Sequence, residues 1–194
     1  MRRLLLIMAV LELAGCAVAT KIEKVDSGPQ KVGERLEMTL DGAWNHFQSA
    51  QIAPARIWTM EGLPVDELRV FAGVKSGEAI DAGAPVVGGA KKIEFRAGMQ
   101  PDEIVAMFEG LYTKGGSTFK LDKLEPWSFS GEKGFRFEFT FVRKVDGVVS
   151  LGVGYGTVSK GELFALLYVA PRLTFFPRNK DKVEEIARGA RLKM

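Results

Sequence analysis

Four phenylalanines, Phe135, Phe137, Phe139 and Phe141, stand at alternate positions, and Gly152, Gly154 and Gly156 follow at the same spacing. A period of two places each set on one face of a strand. Between them Asp146-Gly147 is a strong signal for a two-residue hairpin turn. With that turn, paired positions sum to 293, so that Phe141 faces Gly152, Phe139 faces Gly154 and Phe137 faces Gly156. A ring over a cross-strand glycine shields backbone that the missing side chain leaves bare. The same register groups Thr140 with Val153 and Glu138 with Tyr155 on the other face. Lys160-Gly161 starts a second turn and Leu163 to Val169 returns as a third strand, which makes an antiparallel meander. A phosphate cradle is the competing reading of the glycines. It fails because a dinucleotide or phosphate loop needs a helix N-terminus where this chain has another strand.

The Phe/Gly face needs a cover, and residues 101–114 supply an amphipathic helix. Pro101 suits the first turn, Asp102 and Glu103 the positive dipole end, and Gly115-Gly116 the stop. Ile104, Met107, Phe108, Leu111 and Tyr112 share one side of it. A closing helix over about 180–190 aligns Val183, Ile186, Ala187 and Ala190. Short strands are predicted at 36–40, ending at Asp41-Gly42, and at 56–60, 69–74 and 92–96. The Gly- and Ala-rich stretch 75–90 reads as a loop, and the polar, pattern-poor residues 16–33 as a tether, which leaves 34–194 as a single α+β domain.

The amino terminus has a different logic. Arg2 and Arg3 precede an eight-residue apolar run, Leu4 to Leu11, far short of the ~20 residues that cross a bilayer. Positive start, short apolar core and small residues is the order of an export signal. Leu13-Ala14-Gly15-Cys16 then resembles the lipobox of bacterial lipoproteins. That resemblance implies cleavage after Gly15, a lipid on the Cys16 thiol and, with Ala17 next, sorting to the outer membrane, facing the periplasm. Ala17-Val18-Ala19 offers the alternative of ordinary cleavage and a soluble periplasmic product.

Removing residues 1–15 leaves a formal charge of +2, too balanced for a nucleic-acid partner. Cys16 is the single cysteine and His46 the single histidine, so a cysteine- or histidine-rich metal site is excluded and no cofactor is expected. Adjacent carboxylates at Asp66-Glu67, Asp102-Glu103 and Glu184-Glu185 suit helix starts and solvated faces. Trp44-Asn45-His46-Phe47 mixes aromatic and polar groups most tightly. A core Trp and Phe beside a surface Asn and His is the favoured reading, with a recognition segment as its rival.

From Arg56 to Leu192 the order of elements resembles the Mog1/PsbP-like α/β/α group. The residues that carry this are the meander Gly134-Phe135-Arg136-Phe137 to Gly161-Glu162-Leu163-Phe164, the segment Ala170-Pro171-Arg172-Leu173, and a helix closing before Ala190-Arg191-Leu192. The resemblance implies an α/β/α sandwich and a mostly non-enzymatic role in binding or assembly. With the lipobox it leads to an expectation of a lipid-anchored envelope module, held to the membrane through Cys16, with an envelope protein or lipid as partner. The alternative is an envelope hydrolase that uses carboxylates with His46 as general base.

Overall fold

The computed structural model describes residues 20–86, 89 and 91–193. Its frame is an eight-stranded sheet in which every pairing is antiparallel. In chain order the strands are β1 (Lys21–Val25), β4 (Trp44–Gln48), β5 (Arg56–Thr59), β6 (Glu67–Lys75), β7 (Thr118–Phe129), β8 (Glu132–Val142), β9 (Val149–Ser159) and β10 (Glu162–Pro171). In space they run β1-β4-β5-β6-β10-β9-β8-β7. A second sheet, β11-β3-β2, joins β2 (Gly28–Val32), β3 (Leu36–Leu40) and β11 (Arg191–Leu192). The helices are α1 (Pro101–Thr113) and α2 (Phe175–Gly189).

The alternation in β10 decides which layer lies where. Leu163, Ala165, Leu167 and Val169 face α1, and Phe164, Leu166, Tyr168 and Ala170 face α2 and the small sheet. Both sets are buried, as a strand covered on two sides requires. The fold is therefore an α+β sandwich with one apolar core on each side of the large sheet. On the α1 side, Ile104, Val105, Met107 and Phe108 meet Phe135, Phe137 and Phe139, so α1 covers the Phe/Gly face. The Lys160-Gly161 turn has both central residues at positive φ (51° and 79°), the twist that a two-residue hairpin needs.

Several sequence expectations are corrected. The meander register sums to 291: Phe135 pairs with Gly156, Phe137 with Gly154 and Phe139 with Gly152. Thr140 accordingly faces Leu151, and Glu138 faces Val153. The strands part at Val142 and Val149, so residues 143–148 form a wider loop. There Asp146 accepts from the Arg143 guanidinium and from the Val148 N–H (3.1 Å), which closes the loop earlier than a two-residue turn would. A slip of two leaves every side chain on its expected face.

Residues 92–96 make an isolated Ala79–Glu94 bridge in place of a strand. Their hydrogen-bonding groups go to the 77–84 loop: Ile93 N–H donates to Asp81 Oδ1 (2.9 Å), and Lys92 Nζ to the carbonyls of Asp81, Ala82 and Ala84. Helix α2 begins at Phe175, five residues earlier than expected, because Pro177 lies in its first turn, where an N–H has no intrahelical acceptor.

The expected tether is largely strand. From Lys21 to Val25 the backbone pairs with β4, and from Gly28 to Val32 with β3. An edge strand is solvated on most of its surface, so Lys21, Glu23 and Lys24 leave no apolar pattern to read. The folded unit thus includes Lys21–Val25 and Gly28–Val32, ahead of the expected boundary at residue 34.

Candidate functional site

Strand β4 carries the segment singled out in the sequence. Trp44 is fully buried, while Asn45, His46 and Phe47 are half-buried. His46 lies opposite Glu23 of β1 and Trp58 of β5. Its ring stacks on the buried Trp58 indole at 4.6 Å with planes 9° apart. The side chain of Gln48 joins the cluster: its amide nitrogen sits 3.2 Å from His46 Nδ1 and 3.2 Å from Glu23 Oε2. An amide N–H donates, so Nδ1 accepts and the neutral imidazole carries its proton on Nε2. Lys21 Nζ donates to the same Glu23 oxygen at 3.1 Å.

Of these, Lys21, His46 and Gln48 edge a cleft of about 530 Å³ where β1, β4 and β5 meet the short turn of helix at Ala50–Ile52. Its walls include Lys21, His46, Phe47, Gln48, Ser49 and Arg56. Among the described residues Arg56 forms no salt bridge, and no carboxylate reaches salt-bridge distance of the His46 ring. Burial, and then the charge of Arg56, push the His46 pKa below its ordinary value; Glu23 opposes them. The Glu23 carboxyl is held low chiefly by its hydrogen bond from Lys21. Among the described residues no carboxylate orients the His46 ring as a histidine base needs. Among the described residues no three His, Cys, Asp or Glu side chains converge as metal ligands.

Sequence reasoning singled out His46 and Phe47 but missed their partners Lys21, Gln48 and Trp58. The signal was there in the alternation Trp44-x-His46-x-Gln48, which reads as a strand with one face toward a core. Cys16 and the lipobox lie outside the described residues.

A second cleft of about 350 Å³ lies near the opposite end of the sheet, between Leu63-Pro64 and Tyr112. Its ionic groups satisfy one another. Arg69 Nε bonds Glu67 Oε1 at 2.7 Å, and the Tyr112 hydroxyl, its pKa raised by burial first and Glu67 second, lies 3.4 Å from the same oxygen. That arrangement is structural glue, since no charge is left over for a ligand.

No protein-family model matches the chain, and no curated protein matches it either. Solved structures do. Cyanobacterial PsbP (CyanoP) from Synechocystis sp. PCC 6803 superposes with a TM-score of 0.58 at 11% identity, over 96% of this chain and 99% of that one. The fold is PsbP-like. LpqN of Mycobacterium tuberculosis, described as involved in cell envelope biogenesis, aligns with a TM-score of 0.45 at 12% identity, over 90% of this chain and 92% of its own. The PsbP-like assignment accounts for the antiparallel sheet with two helices and extends the resemblance through β1–β4, ahead of Arg56. Among the described residues no helix is long and apolar enough to cross a membrane.

Proposed function

We propose that this chain is a lipid-anchored, non-enzymatic binding or assembly module of the bacterial cell envelope, held through Cys16 at the outer membrane and facing the periplasm. The observation that carries this reading is the order Arg2-Arg3, apolar run, Leu13-Ala14-Gly15-Cys16 ahead of a PsbP-like domain. The engagement of buried polar groups supports binding over turnover. Asp66 accepts from Thr59, Met60 and Glu61, Asp81 from Ile93 and Lys114, and Arg136 donates to Glu125 and Glu138. Each holds a loop or a strand, and Asp66, which also edges the second cleft, has its carboxylate engaged by the 59–66 loop.

The test is the Cys16→Ala substitution. Membrane-extracted wild type is expected to carry the mass of a diacylglyceryl group on Cys16, and the variant to lose it and leave the membrane fraction. Retention with unchanged mass overturns the anchor, and a mature protein beginning at Thr20 selects the soluble alternative. Crosslinking in the native envelope, with no partner protein or lipid captured above background, overturns the binding role.

A further inference from the structure

The start of β1 fixes which end of the domain meets the bilayer. Resting on the proposed anchor, only residues 17–20 separate Cys16 from Lys21, so the two lie within about 17 Å even at full extension. Lys21 pairs with Gln48, while Phe47, one residue before it, pairs with Ile57, beside Arg56. These residues therefore share one end of the β1-β4-β5 edge, and that end carries the 530 Å³ cleft. The 60–66 and 143–148 loops lie at the far ends of their strands. A lipid on Cys16 thus holds this cleft, and not the loops, next to the headgroups.

The charge of the cleft points to one class of occupant. The charged and titratable groups lining it are Lys21, His46 and Arg56, and Glu23, outside the lining, pairs with Lys21. Lys21 and Glu23 neutralise each other, and neutral His46 presents its Nε2 proton as a donor. Arg56 remains as one exposed guanidinium that forms no salt bridge among the described residues. One surplus positive charge, together with hydrogen-bond donors, matches a phosphodiester, which carries one negative charge and accepts in two directions. We propose that this cleft receives the phosphate of an anionic phospholipid headgroup from the bilayer that anchors the chain. Arg56 supplies the counter-charge, and His46 and Lys21 line the approach. The domain then stands end-on, with a second, reversible contact that fixes its tilt relative to the membrane.

Because His46 is the only histidine, its ring resonance reports on the cleft without overlap. The experiment places the lipidated protein in phosphatidylcholine nanodiscs, alone, with phosphatidylethanolamine, or with phosphatidylglycerol. A parallel arm adds short-chain phosphatidylglycerol or inorganic phosphate to the full Cys16→Ala chain. The mass of the Cys16 peptide is read on each sample, so failure of the anchor is seen apart from failure of the cleft. Phosphatidylglycerol is expected to raise the His46 titration midpoint by roughly half a unit, as a nearby negative charge does, in both arms. Arg56→Gln is expected to abolish the shift while leaving the fold's thermal transition in place. No shift with phosphatidylglycerol in either arm overturns the proposal. An equal shift with phosphatidylethanolamine or with inorganic phosphate overturns the assignment to an anionic headgroup.

Discussion

The ring of Phe137 occupies the space where a side chain on Gly154 would go: a Cβ there would sit 2.2 Å from Cε1 and 2.3 Å from Cζ of that ring. The same holds one step along the strands, where a Cβ on Gly152 would lie 2.1 Å from Phe139 Cζ. Phe137 in turn stacks beneath Phe108 of α1, with centroids 6.1 Å apart and planes 11° off parallel. The glycines thus set the height at which the rings lie, and the rings set the seat of the helix.

Gly154→Ala is expected to destabilise the fold by about 1–3 kcal/mol, the usual cost of overpacking a filled core. Thermal or denaturant unfolding measures it. The loss should be partly recovered in Gly154→Ala with Phe137→Leu, since the second change removes the ring that the methyl meets. Additive losses in that double mutant would show that the contact is not the cause.

The buried carboxylate of Asp81 clamps the 75–96 loop to the end of α1, accepting from Ile93 N–H and pairing with Lys114. Burial alone would raise its pKa, but the hydrogen bonds from Lys114 and Ile93 outweigh that and hold it below the ordinary 3.8. A carboxyl with a lowered folded pKa stabilises the native state above 3.8 and loses that contribution as pH falls through the folded value. Lys114→Met is therefore expected to move the acid-unfolding midpoint upward. At neutral pH it should cost about 1–3 kcal/mol, because it leaves a buried charge short of a partner. Limited proteolysis should then cut first within 75–96.

How much of this was readable in the sequence depended on how much each element buries. Helix α1 and strands β8 to β10 pack against filled cores, so Phe135, Phe137, Phe139 and the glycines announced their faces. The register slipped by two because Arg143 and Asp146 close a wider loop with side-chain bonds, and no hydrophobic pattern records such bonds. Strand β1 was invisible for the opposite reason. It is held by backbone pairing to β4, and its Lys and Glu side chains are what an edge strand shares with a linker. The candidate cleft was half legible: Trp44 and His46 stood out as unusual neighbours, but Lys21 and Arg56 reach it only through strand pairing.

Asp66 ties the 59–66 loop together from below. Its carboxylate accepts from the Thr59 hydroxyl at 2.5 Å, from the Glu61 N–H at 2.8 Å and from the Met60 N–H at 3.1 Å. Thr59 passes the chain on by accepting from Gly62 N–H at 2.8 Å. Asp66→Ala removes the acceptor for two backbone donors and is expected to destabilise by about 2–4 kcal/mol in urea unfolding. Asp66→Asn keeps one acceptor oxygen and should lose less. Equal losses for the two variants would mean that the charge, and not the hydrogen-bond count, holds the loop.

His46 offers the cleanest test of the cleft's own electrostatics, because it titrates alone. Burial and Arg56 disfavour its charged form, so its midpoint is expected below 6.5 in the free protein. Arg56→Gln removes one of those causes and should raise the midpoint. Glu23→Gln removes the opposing carboxylate and should lower it further, so the two variants must move in opposite directions. The sign for stability follows. An imidazole whose folded pKa lies below its unfolded one binds fewer protons when folded, so the native state loses stability as pH falls through 6.5 toward the folded midpoint. His46→Gln should flatten that part of the stability curve, measured by urea unfolding between neutral and mildly acid pH. A curve unchanged by the substitution would mean that the ring is solvated in both states, and that its stack on Trp58 leaves its proton as free as in the unfolded chain.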